Sequence, residues 1–194
     1  MTTIESRLTD NLLNSLYPPS IQGLAKSHWT PLPVAKEAAL FLTGGGNAAI
    51  LDIGSGVGKF CLGAAAHAPG SFFAGVEQRA PLVACAEAAR LQLALKNVSF
   101  IHANFTQIDL GKFDHFYFYN SFYENLAGTD KIDNNIAYSP ELYIYYSRYL
   151  LGQLRSRPAG TRLCTLCSTE DEVPPEFREV GTRVGGQLKF WMKE

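Results

Sequence analysis

Ile50-Leu51-Asp52-Ile53-Gly54-Ser55-Gly56-Val57-Gly58-Lys59-Phe60 is the stretch on which the reading of this chain turns. The apolar run over 48–53 predicts a buried strand, and it enters three glycines at alternate positions before an apolar helical pattern resumes. Strand, tight turn and helix start follow one another directly. Glycine suits such a turn because positive φ costs it little, and because a side chain would keep a ligand off the backbone. The loop amides and the helix N-terminus are then expected to face an anionic ligand group.

Spacing separates the ligand classes that use loops of this kind. A P-loop needs Gly-x-x-x-x-Gly-Lys-Ser/Thr, but counting back from Gly58 and Lys59 finds Ile53 in place of the first glycine. Phe60 stands where the hydroxyl residue belongs, so a P-loop is excluded. The dinucleotide pattern Gly-x-Gly-x-x-Gly wants its third glycine where Lys59 stands, which disfavours NAD. What remains, Asp52-x-Gly54-x-Gly56-x-Gly58, resembles the first motif of class I methyltransferases that depend on S-adenosylmethionine (SAM).

That resemblance implies an α/β fold, a Rossmann-like three-layer sandwich with a mostly parallel seven-stranded sheet and an antiparallel C-terminal strand pair. It implies SAM as cofactor and S-adenosylhomocysteine (SAH) as product, with contacts from Asp52, Gly54, Ser55, Gly56 and Gly58. Downstream, 71–76 reads as a second buried strand ending on Glu77, about 20 residues past the loop, where a Rossmann-like unit places its ribose-binding acid. Two carboxylate oxygens can accept from both ribose hydroxyls. Gln78 joins these contacts by resemblance.

The chain has 194 residues, 46% of them hydrophobic, enough to bury one sizeable core. One domain over 1–194 is expected, with 1–46 as an N-terminal helical cover and 47–194 as the SAM-binding core. A net charge of -1 provides no general basic field, so nucleic acid is not favoured as a partner; a protein or small-molecule acceptor is expected. No apolar run reaches the roughly 18 residues of a membrane-spanning helix. The N-terminal residues lack the apolar region of a signal peptide, and a cytoplasmic protein is the expectation. Cys61, Cys85, Cys164 and Cys167 read as reduced thiols. Cys164 and Cys167 share an apolar strand-like run, where residues three apart face opposite sides, so no metal site is expected.

Along the chain, Ile4, Leu8, Leu12 and Leu16 form a helical stripe over 2–16 that Pro18 and Pro19 terminate. The aromatic, proline-stiffened segment 27–33 precedes a short helix over 34–42 that ends on glycines. In the families resembled, such a segment closes over the methionine end of the cofactor, which implies a contact from Thr30 and places Trp29 there, bordering the acceptor. A helix over 81–96 carries Leu82, Ala86, Ala89 and Leu93 on one face, and 98–103 is a third strand. Asn104 and Phe105 at its carboxyl end are implied to meet the adenine. His102 reads as structural.

The aromatic run 113–120 predicts a central strand buried on both faces, ending in Asn120-Ser121-Phe122-Tyr123. In open parallel sheets the ligand lies outside the carboxyl ends of the strands, which places this tetrapeptide beside the transferred methyl group. Asn120 and Tyr123 are the candidate catalytic residues, Asn120 also as a cofactor contact; Phe122, Tyr123 and Tyr138, with Trp29, are the candidate substrate contacts. Asn120 and Tyr123 match only the ends of the Asn/Asp-Pro-Pro-Tyr/Phe pattern of amine-directed enzymes. Asn120-x-Phe122 after an aromatic strand, with Ile53-Gly-Ser-Gly-Val-Gly58 and Gly75-Val-Glu77, is similar to the non-SET histone-lysine methyltransferase family over about 29–169. This implies a protein lysine amine as acceptor, its neutral form favoured in an aromatic channel. Glu124, Tyr123 and Tyr138 are candidates to take a proton.

The segment 124–138 reads as a substrate lid, and a helix over 140–154 bears a tyrosine stripe that reads as core. A strand over 161–168 is followed by 177–182 and 187–193, two strands joined through a glycine turn. A small-molecule methyltransferase and a SAM-binding module without turnover are the competing readings.

Overall fold

The computed structural model describes residues 8–169 and 172–194. Five parallel strands, β1 (Ala49–Ile53), β2 (Phe72–Glu77), β3 (Val98–His102), β4 (His115–Phe118) and β5 (Arg162–Leu166), join the antiparallel pair β6 (Phe177–Arg183) and β7 (Leu188–Lys193). The sheet order is β3-β2-β1-β4-β5-β7-β6, as the family resemblance implies. β1 sits between β2 and β4, with Asp52 opposite Gly75 and Tyr117.

Period-two alternation sends neighbouring side chains into two cores. Ile50, Phe73 and Tyr117 pack with Ala35, Ala38 and Leu42 of α4 (Leu32–Thr43) and with Leu62 and Ala65 of α5 (Lys59–His67). Leu51, Ile53, Phe116 and Phe118 face the other way, against Leu150 and Leu154 of α7 (Pro140–Arg155). α7 starts where Pro140 presets the first turn and Ser139 caps it, its side chain accepting the Leu142 N–H. α6 (Ala80–Gln92) buries Leu82, Ala86 and Ala89. Since β2 and β3 lie on one side of β1 while β4 and β5 lie on the other, the strand order reverses between β1 and β4, and the carboxyl ends there splay into a crevice.

At the N-terminus, helices α1 (Asp10–Ser15), α2 (Pro19–Gln22) and α3 (Ala25–His28) are short. α1 is turned relative to the predicted stripe: Leu13 is fully buried, Leu12 is 43% exposed, and Leu8 and Leu16 pack at the margin of the core. Ile4 lies outside the described residues. Tertiary contacts set this rotation: the Tyr17 hydroxyl donates to the Val57 carbonyl, drawing the end of the helix toward the glycine loop. β4 is shorter than the predicted 113–120, because Asn120 takes a positive φ of 41° that ends the extended backbone. In the tyrosine stripe, Tyr146 and Tyr149 pack against the second core, while Tyr145 is 53% exposed. Among the described residues no helix is long and apolar enough to cross a membrane, and no cluster of His, Cys, Asp and Glu could hold a metal ion.

Candidate active site

The crevice outside β1, β2 and β4 holds a cavity of about 390 Å³. Its floor is the glycine loop, whose three glycines stand in different surroundings. Gly54 has φ +76°, and a Cβ on it would stand 2.4 Å from the Ser121 Cβ. Ser121 in turn donates to the Ile53 carbonyl at 2.6 Å, so the loops after β1 and β4 are pressed together. A Cβ on Gly58 would meet the Phe100 ring at 2.3 Å, whereas one on Gly56 would have no neighbour within 4 Å and faces the open cavity.

Four of the loop amides already have partners within the protein. The Gly54 and Ser55 N–H groups both donate to the Val76 carbonyl, at 3.0 and 2.9 Å, and Gly58 donates to Ser55 at 2.8 Å. Gly56 donates to Glu77 Oε2 at 3.2 Å. The loop thus spends these donors on Val76, on Ser55 and on Glu77, which fixes its shape against the sheet.

Glu77 is buried at the end of β2, its Oε1 accepting the Arg79 N–H at 2.8 Å. Burial raises its carboxyl pKa, while the Arg79 guanidinium and the Arg79 and Gly56 amides pull the other way. Beside it, Gln78, Asn104 and Phe105 line the cavity. Asn104 is largely occupied: its Nδ2 donates to the Tyr146 hydroxyl at 2.9 Å, and its Oδ1 accepts the Thr106 N–H at 3.1 Å. Phe105 stacks on Phe122 with centroids 5.0 Å apart.

A smaller adjoining cavity is lined by Trp29, Thr30, Asp52, Ser55 and Lys59. Thr30 shares a 2.9 Å hydrogen bond with the Tyr117 hydroxyl. Asp52 accepts a 3.5 Å contact from the Cys61 thiol, and burial pushes its carboxyl up to about 8, leaving it protonated at neutral pH. The buried Ser55 Oγ has no hydrogen-bond partner among the described residues. Lys59, which entered the sequence analysis only in telling the glycine-loop motifs apart, is buried here with its Nζ 2.5 Å from Asp10 and 5.5 Å from the Trp29 ring centre.

At the acceptor end, Tyr119, Asn120, Phe122 and Tyr123 border the large cavity together with Tyr146. Phe122 is buried as a wall between Phe105 and Phe118, whereas Tyr123 stands 48% exposed at the rim. Tyr138 is not on the lining. Its hydroxyl accepts from Arg79 Nη2 at 2.7 Å and lies 3.0 Å from Glu124 Oε2. Arg79 also went unread in the sequence, although its place two residues beyond Glu77 was a signal that it could reach the same pocket.

Fold and site together define a Rossmann-like methyltransferase domain with SAM as methyl donor, and the buried acid, the open Gly56 and the unpartnered Ser55 hydroxyl fit that cofactor. The chain belongs to the methyltransferase domain family, whose model matches residues 45–188. A tRNA (guanine-N(7)-)-methyltransferase of Synechococcus sp. (strain JA-3-3Ab) is 54% identical over 54 residues, 28% of this chain; the match spans 23% of that relative. The crystal structure of an RNA methyltransferase from Salinibacter ruber in complex with SAH superposes with a TM-score of 0.58 at 20% identity, covering 84% of this chain and 92% of that one. The mitomycin 7-O-methyltransferase MmcR gives 0.56 at 14% identity, covering 83% and 52%. Nothing in these matches singles out the histone-lysine family.

Proposed function

We propose that this protein transfers the methyl group of SAM to a ring nitrogen of an RNA base. The observation that carries the cofactor half is Glu77, buried at the cavity wall on the Arg79 and Gly56 amides. Glu77 would hold the ribose hydroxyls, Gln78, Asn104 and Phe105 would border the adenine, and Thr30 and Ser55 the methionine end. SAM supplies an electrophilic methyl on a sulfonium, so the chain's task is alignment of the acceptor at attack distance.

The acceptor half draws on the tRNA (guanine-N(7)-)-methyltransferase match and on the chemistry of the acceptor wall. Of the three candidates to take a proton, Glu124 and Tyr138 are both bound to Arg79, and Tyr123, exposed at the rim, is a phenol that at neutral pH carries its own proton. A wall so occupied suits a nitrogen that has a lone pair and no proton to lose, such as guanine N7. A protonated lysine amine would first have to give one up. Asn120 and Tyr123 would position the acceptor, with the exposed Tyr123 ring as a surface on which a planar base can stack, a contact worth about 1–3 kcal/mol. Nucleic acid thereby replaces protein as the favoured acceptor, despite the small net charge.

The test is transfer of labelled methyl from SAM into separated RNA, protein and small-molecule fractions. Label in RNA that nuclease releases supports the proposal. Label in protein that survives nuclease would restore the lysine reading; label in small molecules alone would favour a metabolite. SAH binding without any transfer would make the protein a SAM-binding module.

A further inference from the structure

The segment 124–138 forms one wall of the cavity through Glu124, Gly128, Thr129 and Ile132, yet it has little regular structure of its own. What ties it down is Arg79, whose side chain is 5% exposed. Nη2 lies 2.6 Å from Glu124 Oε2 and 2.7 Å from the Tyr138 hydroxyl, and Nε lies 3.4 Å from Asp133 Oδ1. Glu124 Oε2 also accepts the Ile132 N–H at 3.0 Å. One guanidinium thus gathers the start, the later part and the end of the segment. Its remaining contact, Nη1 to Glu77 Oε1, is loose at 3.5 Å.

We infer that Arg79 is a positioning residue that holds the acceptor wall in place, and that filling the site at Glu77 tightens this hold. The coupling rests on the SAM reading proposed above. A single guanidinium is shared among Glu77, Glu124 and Asp133. Hydroxyl groups that donate to Glu77 satisfy its oxygens and release Arg79 toward Glu124 and Asp133, where hydrogen bonds between ionised partners are strong. Glu77 keeps the backbone amides of Arg79 and Gly56 whatever side chain occupies position 79. Loss of the guanidinium therefore removes the hold on the wall while the two backbone donors to Glu77 stay in place.

The test is amide hydrogen exchange of the full chain, with and without saturating SAH, for the wild type, Arg79→Met, Arg79→Lys and Glu124→Gln, alongside calorimetric SAH binding. Without ligand, exchange across 124–138 is expected to be about tenfold faster in Arg79→Met than in the wild type, with the sheet unchanged. SAH, added to each protein at a concentration that calorimetry shows to be saturating, is expected to slow the segment in the wild type and not in Arg79→Met. Arg79→Lys, which keeps the charge but not the fork, falls between. Unchanged exchange in Arg79→Met, or equal protection by SAH in both proteins, would overturn the inference. If Arg79→Met exchanges throughout the sheet, Glu124→Gln, which removes the loop side of the same contact, carries the comparison. A wild type that binds no SAH would sink the cofactor reading and the coupling, while the ligand-free comparison still decides whether Arg79 holds the wall.

Discussion

Glu77 offers a carboxylate whose loss can be measured apart from folding, because its short hydrogen bonds come from backbone amides and its charged neighbour Arg79 keeps Glu124 and Asp133. Charge-assisted hydrogen bonds contribute about 1.5–3 kcal/mol each, so Glu77→Ala is expected to weaken SAH binding by at least about tenfold in calorimetry. Unchanged affinity in the folded variant would place the ribose elsewhere. The glycines make a sharper pair. Gly58→Ala forces a methyl into the Phe100 ring at positive φ and is expected to cost about 2–4 kcal/mol in denaturant unfolding. Gly56→Ala meets no neighbour, so it carries only the backbone strain, about 1 kcal/mol, and its larger effect is expected on SAH affinity. At this scale Asp52-x-Gly54-x-Gly56-x-Gly58 and Glu77 were legible in the chain, since their spacing is a property of one strand-turn-helix unit. Arg79 and Lys59 were not, because their partners lie 45 to 59 and 49 residues away.

Among the elements, α1 is tied to its surroundings by polar contacts at both ends, Asp10 at its start and Tyr17 just past its finish. Asp10 pairs with buried Lys59 and also accepts the Leu32 N–H at 3.2 Å, tying α1 to the starts of α4 and α5 at once. Asp10→Asn leaves the ammonium without its counter-charge and is expected to lower stability by about 1–3 kcal/mol, read as a shift in denaturant midpoint without a change in slope. No shift would mean that solvent replaces Asp10 at no cost. The existence and order of the helices and strands from α4 to β7 followed from apolar period, proline starts and turn residues, although α6, expected to reach residue 96, stops at Gln92 and β4 is shorter than 113–120. The face that α1 buries did not, because six residues of helix present too short a stripe to set a rotation, and the Tyr17 bond to Val57 decides it.

The whole molecule carries the cost of a carboxyl buried at the centre of its sheet. Asp52 is 3% exposed, and its pKa rises from 3.8 to about 8 chiefly through burial. The folded state therefore holds a proton that the unfolded chain has lost between those values. Stability from this group is complete below about pH 4 and falls as pH rises toward about 8, by at most about 1.4 kcal/mol per pH unit. Asp52→Asn cannot ionise, so its unfolding free energy is expected to decline less steeply than the wild type's between about pH 5 and 8. Equal slopes in the two proteins would mean that Asp52 is ionised in the fold.

The amino-acid sequence by itself determined the order of strands and helices, the glycine loop and the acid that follows it, because each depends on neighbours within about 30 residues. It also marked Asn120 to Tyr123 as the reacting end, since a strand's carboxyl terminus is where an open parallel sheet leaves space. Tertiary structure alone decided which polar groups are already occupied. The Gly54, Ser55 and Gly56 amides are taken by Val76 and Glu77, and Tyr138 is drawn off the cavity into the Arg79 cluster. Hydrogen-bond partners brought together from distant parts of the chain settle such choices, and neither period nor spacing records them.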